Sequence, residues 1–109
     1  MTDVNNLPEI FRLHKLWLEG DPEGRRADLS GADLSGVDMS GVDMRGADLS
    51  GARLAWAILT NACLVGANLT DANLTGADLY GADLTGAKVD GAALIAADLF
   101  GAIMPEGFD

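Results

Sequence analysis

The chain has 109 residues, and its 17 acidic against 7 basic side chains give a formal net charge of −10. This length predicts one domain, and the negative charge argues against direct binding to nucleic acid or an anionic membrane and favours a basic protein as partner. The N-terminus lacks a secretory pattern, the apolar runs are too short to span a membrane and Cys63 is the single cysteine, so we expect a cytoplasmic protein.

Residues 1–26 predict a capping helix followed by a turn. The helix is expected over residues 7–19, with Gly20 as its stop. Its apolar stripe includes Ile10, Leu13 and Trp17. A short helix this apolar must lie on another part of the protein, so we expect it to cover the N-terminal end of the domain that follows.

Two polar residues suggest how this helix begins. Asn6 offers an N-cap, and Glu9 stands three residues later as its capping-box partner. His14, the only histidine, is expected on the helix surface.

Residues 27–106 repeat a five-residue unit with the consensus Ala-Asp-Leu-Ser/Thr-Gly, and residues 107–109 form a short tail. A large aliphatic residue occupies the third slot sixteen times in unbroken phase, from Leu29 to Met104, and Ala or Val always stands two residues earlier. A period of five fits neither a helix nor a strand and indicates a stacked coil. A quarter-turn per unit would point the aliphatic residue and the alanine inward, the Asp and Ser/Thr outward, and leave Gly at the corner.

Units such as Ala27-Asp28-Leu29-Ser30-Gly31 and Ala77-Asp78-Leu79-Tyr80-Gly81 resemble those of pentapeptide-repeat proteins. The resemblance implies an all-β solenoid, a right-handed quadrilateral β-helix with four units per coil and therefore about four coils. It also implies a possible function, because some members of this family resemble DNA in shape and charge, bind gyrase and confer fluoroquinolone resistance.

Apolar residues occupy outward slots in two places. Trp56 at a corner and Ile58 on the next face form a candidate partner patch. The second group lies near the C-terminal end, where no helix remains to cover the last coil, and consists of Tyr80, Ile95, Phe100, Ile103 and Phe108. We predict an end-to-end homodimer through this second group, with simple cross-strand stabilisation by stacked aromatics as the alternative.

The outward acidic slots stack in columns that leave two interpretations open. They either keep the repeat soluble or imitate a phosphate backbone. The candidate DNA-mimic carboxylates are those of Asp28, Asp48, Asp38, Asp78, Asp98, Asp43 and Asp83.

No catalytic, cofactor or metal site is predicted. His14 lies far from any candidate nucleophile, and Cys63 stands between Asp43 and Asp83, whose charges disfavour a thiolate. Zinc-ligand spacing and a phosphate-binding glycine loop are both missing. The sequence therefore predicts a non-enzymatic structural or interaction protein that binds itself, with a DNA-mimic inhibitor or protector of gyrase or another DNA-binding protein as the alternative.

Overall fold

The computed structural model describes residues 4–108, and residues 27–106 form a solenoid of four coils. Parallel β-bridges join each outward slot to the slot twenty residues later, from Asp28 with Asp48 to Asp83 with Ile103. One coil therefore takes twenty residues, or four of the five-residue units. Coils 1 to 4 comprise residues 27–46, 47–66, 67–86 and 87–106.

Each coil has four faces, which we number by their bridging residues. Face 1 contains Asp28, Asp48, Asn68 and Lys88; face 2 contains Asp33, Arg53, Asn73 and Ala93; face 3 contains Asp38, Ile58, Asp78 and Asp98; face 4 contains Asp43, Cys63, Asp83 and Ile103.

The sheets of this solenoid consist of single-residue bridges. Leu29 N–H donates to the carbonyl of Asp48 at 2.7 Å, and Asp48 N–H donates to the carbonyl of Ala27 at 3.0 Å. Ala32 N–H then donates to the carbonyl of Leu29 at 3.1 Å and closes a turn. Because such a turn follows every bridge, no longer strand occurs among residues 4–108.

The core is a ladder of large aliphatic side chains, with alanine beside each one. In coils 1 to 3 the twelve aliphatic residues from Leu29 to Leu84 are at most 3% exposed. Most corners carry glycine with positive φ, which side chains disfavour. Trp56 holds a corner at φ 61°, and its indole fits because it lies over Gly76 of the next coil, where a Cβ atom would overlap the ring.

Helix α1 spans Leu7–Leu18 and follows a 3-10 turn at Val4–Asn6. Gly20 follows at φ 79°, a left-handed conformation typical of helix ends. The returning chain passes so close to the helix at Gly24 that a Cβ there would overlap the backbone of Trp17. Leu7, Ile10 and Phe11 are partly buried against the solenoid core.

The predicted capping box is wrong. Asn6 lies at φ −109° and ψ 30°, at the end of the 3-10 turn rather than in the extended conformation of an N-cap, and its side chain makes no cap hydrogen bond. Glu9 instead accepts hydrogen bonds from Arg12, one turn further along.

Candidate interaction surfaces

His14 joins the helix to coil 1, and its predicted position on the helix surface is wrong. The residue is fully buried, at 0% exposure. Its Nδ1 accepts a hydrogen bond from Ala27 N–H at 2.9 Å, and its Nε2 lies 2.9 Å from the carbonyl oxygen of Arg45. Since Nδ1 accepts, the proton is on Nε2, which donates to Arg45.

The imidazole replaces backbone groups that a preceding coil would supply. In later coils the carbonyl after the large aliphatic residue accepts from an N–H nineteen residues earlier, as Ser50 does from Gly31. Arg45 occupies that slot in coil 1, and His14 provides its donor. Burial lowers the pKa of His14 below its ordinary value, so the neutral ring required by these two bonds is favoured.

The three predicted cap residues lie at this junction in different environments. Ile10 is partly buried against the core, Leu13 is half-buried, and Trp17 is 40% exposed. Trp17 stacks on His14 with ring centroids 5.3 Å apart and lies over the corner at Gly46. The Gly46 carbonyl also accepts a hydrogen bond from Arg26 Nε at 2.5 Å. The helix end therefore closes the corner of coil 1 at Gly46 through the rings of His14 and Trp17.

The predicted DNA-mimic carboxylates have a local structural role that sequence reasoning missed. Asp28 Oδ1 accepts hydrogen bonds from both the N–H and the hydroxyl of Ser30, at 3.1 and 2.6 Å. Asn68 and Asn73 make the same contact with their amide oxygens, so the slot requires an oxygen acceptor rather than a charge. The spacing Asp-X-Ser is the sequence signal for this turn.

These hydrogen bonds also stabilise the ionised form of several carboxylates. The Ser or Thr two residues later lowers the pKa of Asp28, Asp33, Asp38 and Asp83, and the Arg45 guanidinium does so for Asp43. The predicted set is spread over faces 1, 3 and 4, and its columns contain at most two adjacent acids, Asp28 with Asp48 and Asp78 with Asp98.

Face 3 differs from the other faces in charge and in exposed apolar area. Face 1 contains Lys88, face 2 contains Arg53 and face 4 includes Arg45. The four five-residue units of face 3 contain no basic residue. Asp33 and Asp43 pair with Arg53 and Arg45 at 3.9 and 2.7 Å. Within residues 4–108, the carboxylates of Asp38, Asp78 and Asp98 have no such ion pair.

The structure places Trp56 and Ile58 on the same side of the solenoid as Tyr80 and Phe100 of the second predicted group. Ile58 lies on face 3 of coil 2, with Trp56 at the adjoining corner, and both are exposed. Tyr80 and Phe100 also lie on face 3, in coils 3 and 4, two residues after its bridging positions. Their rings stack with centroids 5.7 Å apart and planes inclined by 15°. The predicted residues Ile95 and Ile103 flank this row on faces 2 and 4 and are also exposed.

The C-terminal end of the core is open. The aliphatic residues of coil 4 are only half-buried, although their counterparts in coils 1 to 3 are buried: Val89, Leu94, Leu99 and Met104. Within residues 4–108, the N–H groups of Val89, Leu94 and Leu99 have no partner carbonyl of the kind that Leu69, Leu74 and Leu79 find one coil earlier. Phe108 lines a shallow pocket with Val89 and so covers only one corner of this end.

The helices within residues 4–108 do not meet the length and hydropathy that a membrane span requires. In the same part of the chain, no three His, Cys, Asp or Glu side chains come together in a group that could hold a metal ion.

The five-residue repeat, the twenty-residue coil and the outward Asp slots together define a pentapeptide-repeat solenoid. The family model described as "Pentapeptide repeats" matches residues 25–61 and 62–101. The chain therefore belongs to the pentapeptide-repeat family, and its relatives imply a right-handed β-helix.

Two solved structures illustrate the similarity. The chain is 38% identical to alr5209, a pentapeptide repeat protein from Nostoc PCC 7120, with a TM-score of 0.72 over 90% of this chain and 86% of that one. It is 34% identical to QnrB1, a plasmid-mediated fluoroquinolone resistance protein, with a TM-score of 0.52 over 69% of this chain and 39% of QnrB1. No curated protein sequence matches the chain significantly.

Proposed function

We propose that this chain is a non-enzymatic interaction protein that binds a second copy of itself through the end of coil 4. The observation that carries the proposal is the half-exposed row of Val89, Leu94, Leu99 and Met104, since the same ladder is buried in every earlier coil. Open core and unpaired N–H groups are a surface that other chains can cover.

A second copy is the occupant that this end favours. An isologous contact would place two identical apolar ends against each other and shield both. The N-terminal end is closed by α1, so head-to-tail stacking onto coil 1 is blocked. The dimer thus uses one end of each solenoid.

A non-enzymatic role is supported by the state of the residues that could perform chemistry. Both ring nitrogens of His14 are hydrogen-bonded to the backbone, so the imidazole is not free to act as a base. Cys63 is partly buried on face 4 between Asp43 and Asp83, as its bridges define.

Sedimentation equilibrium tests the dimer. The chain has a mass of 11.3 kDa, and we expect the dimer mass at micromolar concentrations. Leu94→Lys places a charge in the open end and should give the monomer mass, whereas Ser40→Lys, on an exposed outward position of coil 1, should leave the dimer intact. A monomer at every concentration of the native chain would refute self-association.

A DNA-mimic that acts on gyrase or another DNA-binding protein is a second candidate, favoured by the similarity to QnrB1 and the net charge of −10. The short acidic columns weigh against it, because each is interrupted after at most two adjacent carboxylates. A gyrase supercoiling assay separates the two candidates. Inhibition of gyrase, or its protection from a fluoroquinolone, would support mimicry, and the absence of both effects would reject it.

A further inference from the structure

Face 3 of coils 2 to 4 combines exposed apolar side chains with carboxylates that form no ion pair with any residue from 4 to 108. Phe100 is 74% exposed and Trp56 66%, and Ile58 and Tyr80 lie between them along the face. Asp78 and Asp98 stand two residues before Tyr80 and Phe100, so each of two consecutive coils places a carboxylate beside an aromatic ring. The surface is therefore a repeated pair rather than a scatter of acidic groups.

The carboxylates retain capacity for a partner. Asp78 and Asp98 each use Oδ1 to accept from the backbone N–H of the aromatic residue, both at 3.0 Å. Within residues 4–108 their Oδ2 atoms have no hydrogen-bond donor of the kind that Arg45 supplies to Asp43 on face 4. These oxygens are therefore available to water or to a donor of a partner.

Trp56 adds an independent indication of binding. Most corners carry glycine, but this one holds a large aromatic residue at φ 61°, a backbone conformation that is unfavourable for such a side chain. Its indole is largely exposed, so core packing does not explain the choice. Strained exposed residues concentrate at binding sites, and tryptophan is a frequent anchor of protein interfaces.

We propose that face 3, from Trp56 and Ile58 to Phe100, binds a protein segment that combines arginine with aliphatic residues. A guanidinium group pairs with a carboxylate and stacks on an aromatic ring, and Asp78 with Tyr80 and Asp98 with Phe100 offer both contacts. The aliphatic side chains cover Ile58 and the Trp56 indole. This inference rests on the proposal that the protein acts by binding other proteins, but it does not require self-association.

The test is fluorescence anisotropy with three labelled peptides of equal length. The probe has six Arg-Leu repeats, and the controls have six Arg-Ser or six Glu-Leu repeats. We expect the Arg-Leu peptide to bind at least about tenfold more tightly than either control, because the other two lack the apolar or the cationic half of the match.

The variants compare two faces of the same solenoid. Asp78→Asn with Asp98→Asn neutralises face 3, and Asp28→Asn with Asp48→Asn removes the same charge from adjacent coils of face 1. Native Asn68 and Asn73 occupy this slot and keep its turn, so all four substitutions should fold. We expect the face 3 pair to weaken binding of the Arg-Leu peptide about tenfold and the face 1 pair less than twofold. Phe100→Ser should also weaken it several-fold.

Three results would overturn the inference. The first is no binding of the Arg-Leu peptide. The second is equal binding of the Arg-Leu and Arg-Ser peptides, which would show attraction to the net charge alone. The third is an equal loss in the face 1 and face 3 variants. If the Arg-Leu peptide still binds Leu94→Lys, which should be monomeric, this site is separate from the dimer contact. If sedimentation shows that the native chain forms no dimer, the expected result of the peptide experiment does not change.

Discussion

Replacing His14 should destabilise the protein by an amount set by its two backbone hydrogen bonds. In His14→Leu, the buried Ala27 N–H loses its acceptor and the Arg45 carbonyl loses its donor. Each lost bond to an unsatisfied buried group costs about 1–3 kcal/mol, and Arg45 is near solvent, so we expect a total of about 2–4 kcal/mol. At about 4–8 °C per kcal/mol for a domain of this size, the melting temperature should fall by about 8–32 °C.

Thermal unfolding followed by circular dichroism measures this loss, and two further variants divide it. His14→Asn retains an acceptor near the native Nδ1 for the buried Ala27 N–H, whereas His14→Gln retains only a donor near the native Nε2 for Arg45, which is near solvent. We therefore expect His14→Asn to be the more stable of the two. Lys15→Leu is the matched control, because this neighbour is exposed. A melting temperature of His14→Leu within about 4 °C of the native value, less than 1 kcal/mol, would refute the reasoning.

The same residue gives the protein a pH dependence of known sign. Burial lowers the folded-state pKa of His14 from 6.5, so the unfolded chain takes up the proton first as the pH falls. The stability contributed by the neutral ring is therefore complete above pH 6.5 and is lost as the pH falls from there to the folded pKa. Asp43 nearby favours the proton, while Arg26 and Arg45 oppose it. His14→Leu should remove this slope, and a variant with the native slope would exclude His14 as its origin.

The corner glycines and the helix return provide two further predictions. Gly76→Ala and Gly36→Ala both place alanine at positive φ, but only the Cβ at position 76 meets the Trp56 ring. In urea unfolding, Gly76→Ala should therefore lose about 1–3 kcal/mol more of the free energy of unfolding than Gly36→Ala. Combining Gly76→Ala with Trp56→Gly should abolish this difference. An equal loss for both alanines would contradict this. Gly24→Ala should lower the melting temperature and raise Trp17 exposure to acrylamide quenching, because its Cβ would overlap helix backbone that cannot move aside. Unchanged quenching and stability would rule out that close contact.

The coil could be predicted from sequence because one local rule determines it. An inward aliphatic residue every five positions with glycine at the corner indicates a stacked coil, and the resemblance to pentapeptide-repeat proteins supplies the four units per coil that the bridges twenty residues apart show. His14 was missed because its partners lie 13 and 31 residues away, and a polar residue on a short helix is ordinarily exposed. A signal was nevertheless present: His14 follows Ile10 by four residues and precedes Trp17 by three, so it belongs to the buried stripe.

The surface could be predicted less well because a face also includes its corner and the slot two residues after the bridging position. Along the chain, Trp56 and Ile58 are separate from Tyr80 and Phe100, and the sequence analysis predicts a different interface for each pair. In the solenoid all four lie on or beside face 3. The local role of the carboxylates is a contact within one unit, between an Asp and the residue two positions later, so the stacking of columns does not reveal it.

The two ends of the solenoid explain why the proposed self-association should stop at two copies. Each side of a coil presents both donors and acceptors to its neighbour, as the Leu29 N–H and the Ala27 carbonyl do to coil 2, so an uncapped stack could add coils of other molecules indefinitely. At the N-terminal end, His14 and Arg26 supply donors to Arg45 and Gly46, and α1 covers the adjoining core. Only the end at coil 4 then remains available, so a dimer formed by two such ends has no open end left for a third copy. On this reasoning, weakening the junction at His14 should convert a closed dimer into longer assemblies, detectable as a rise in sedimentation coefficient with concentration.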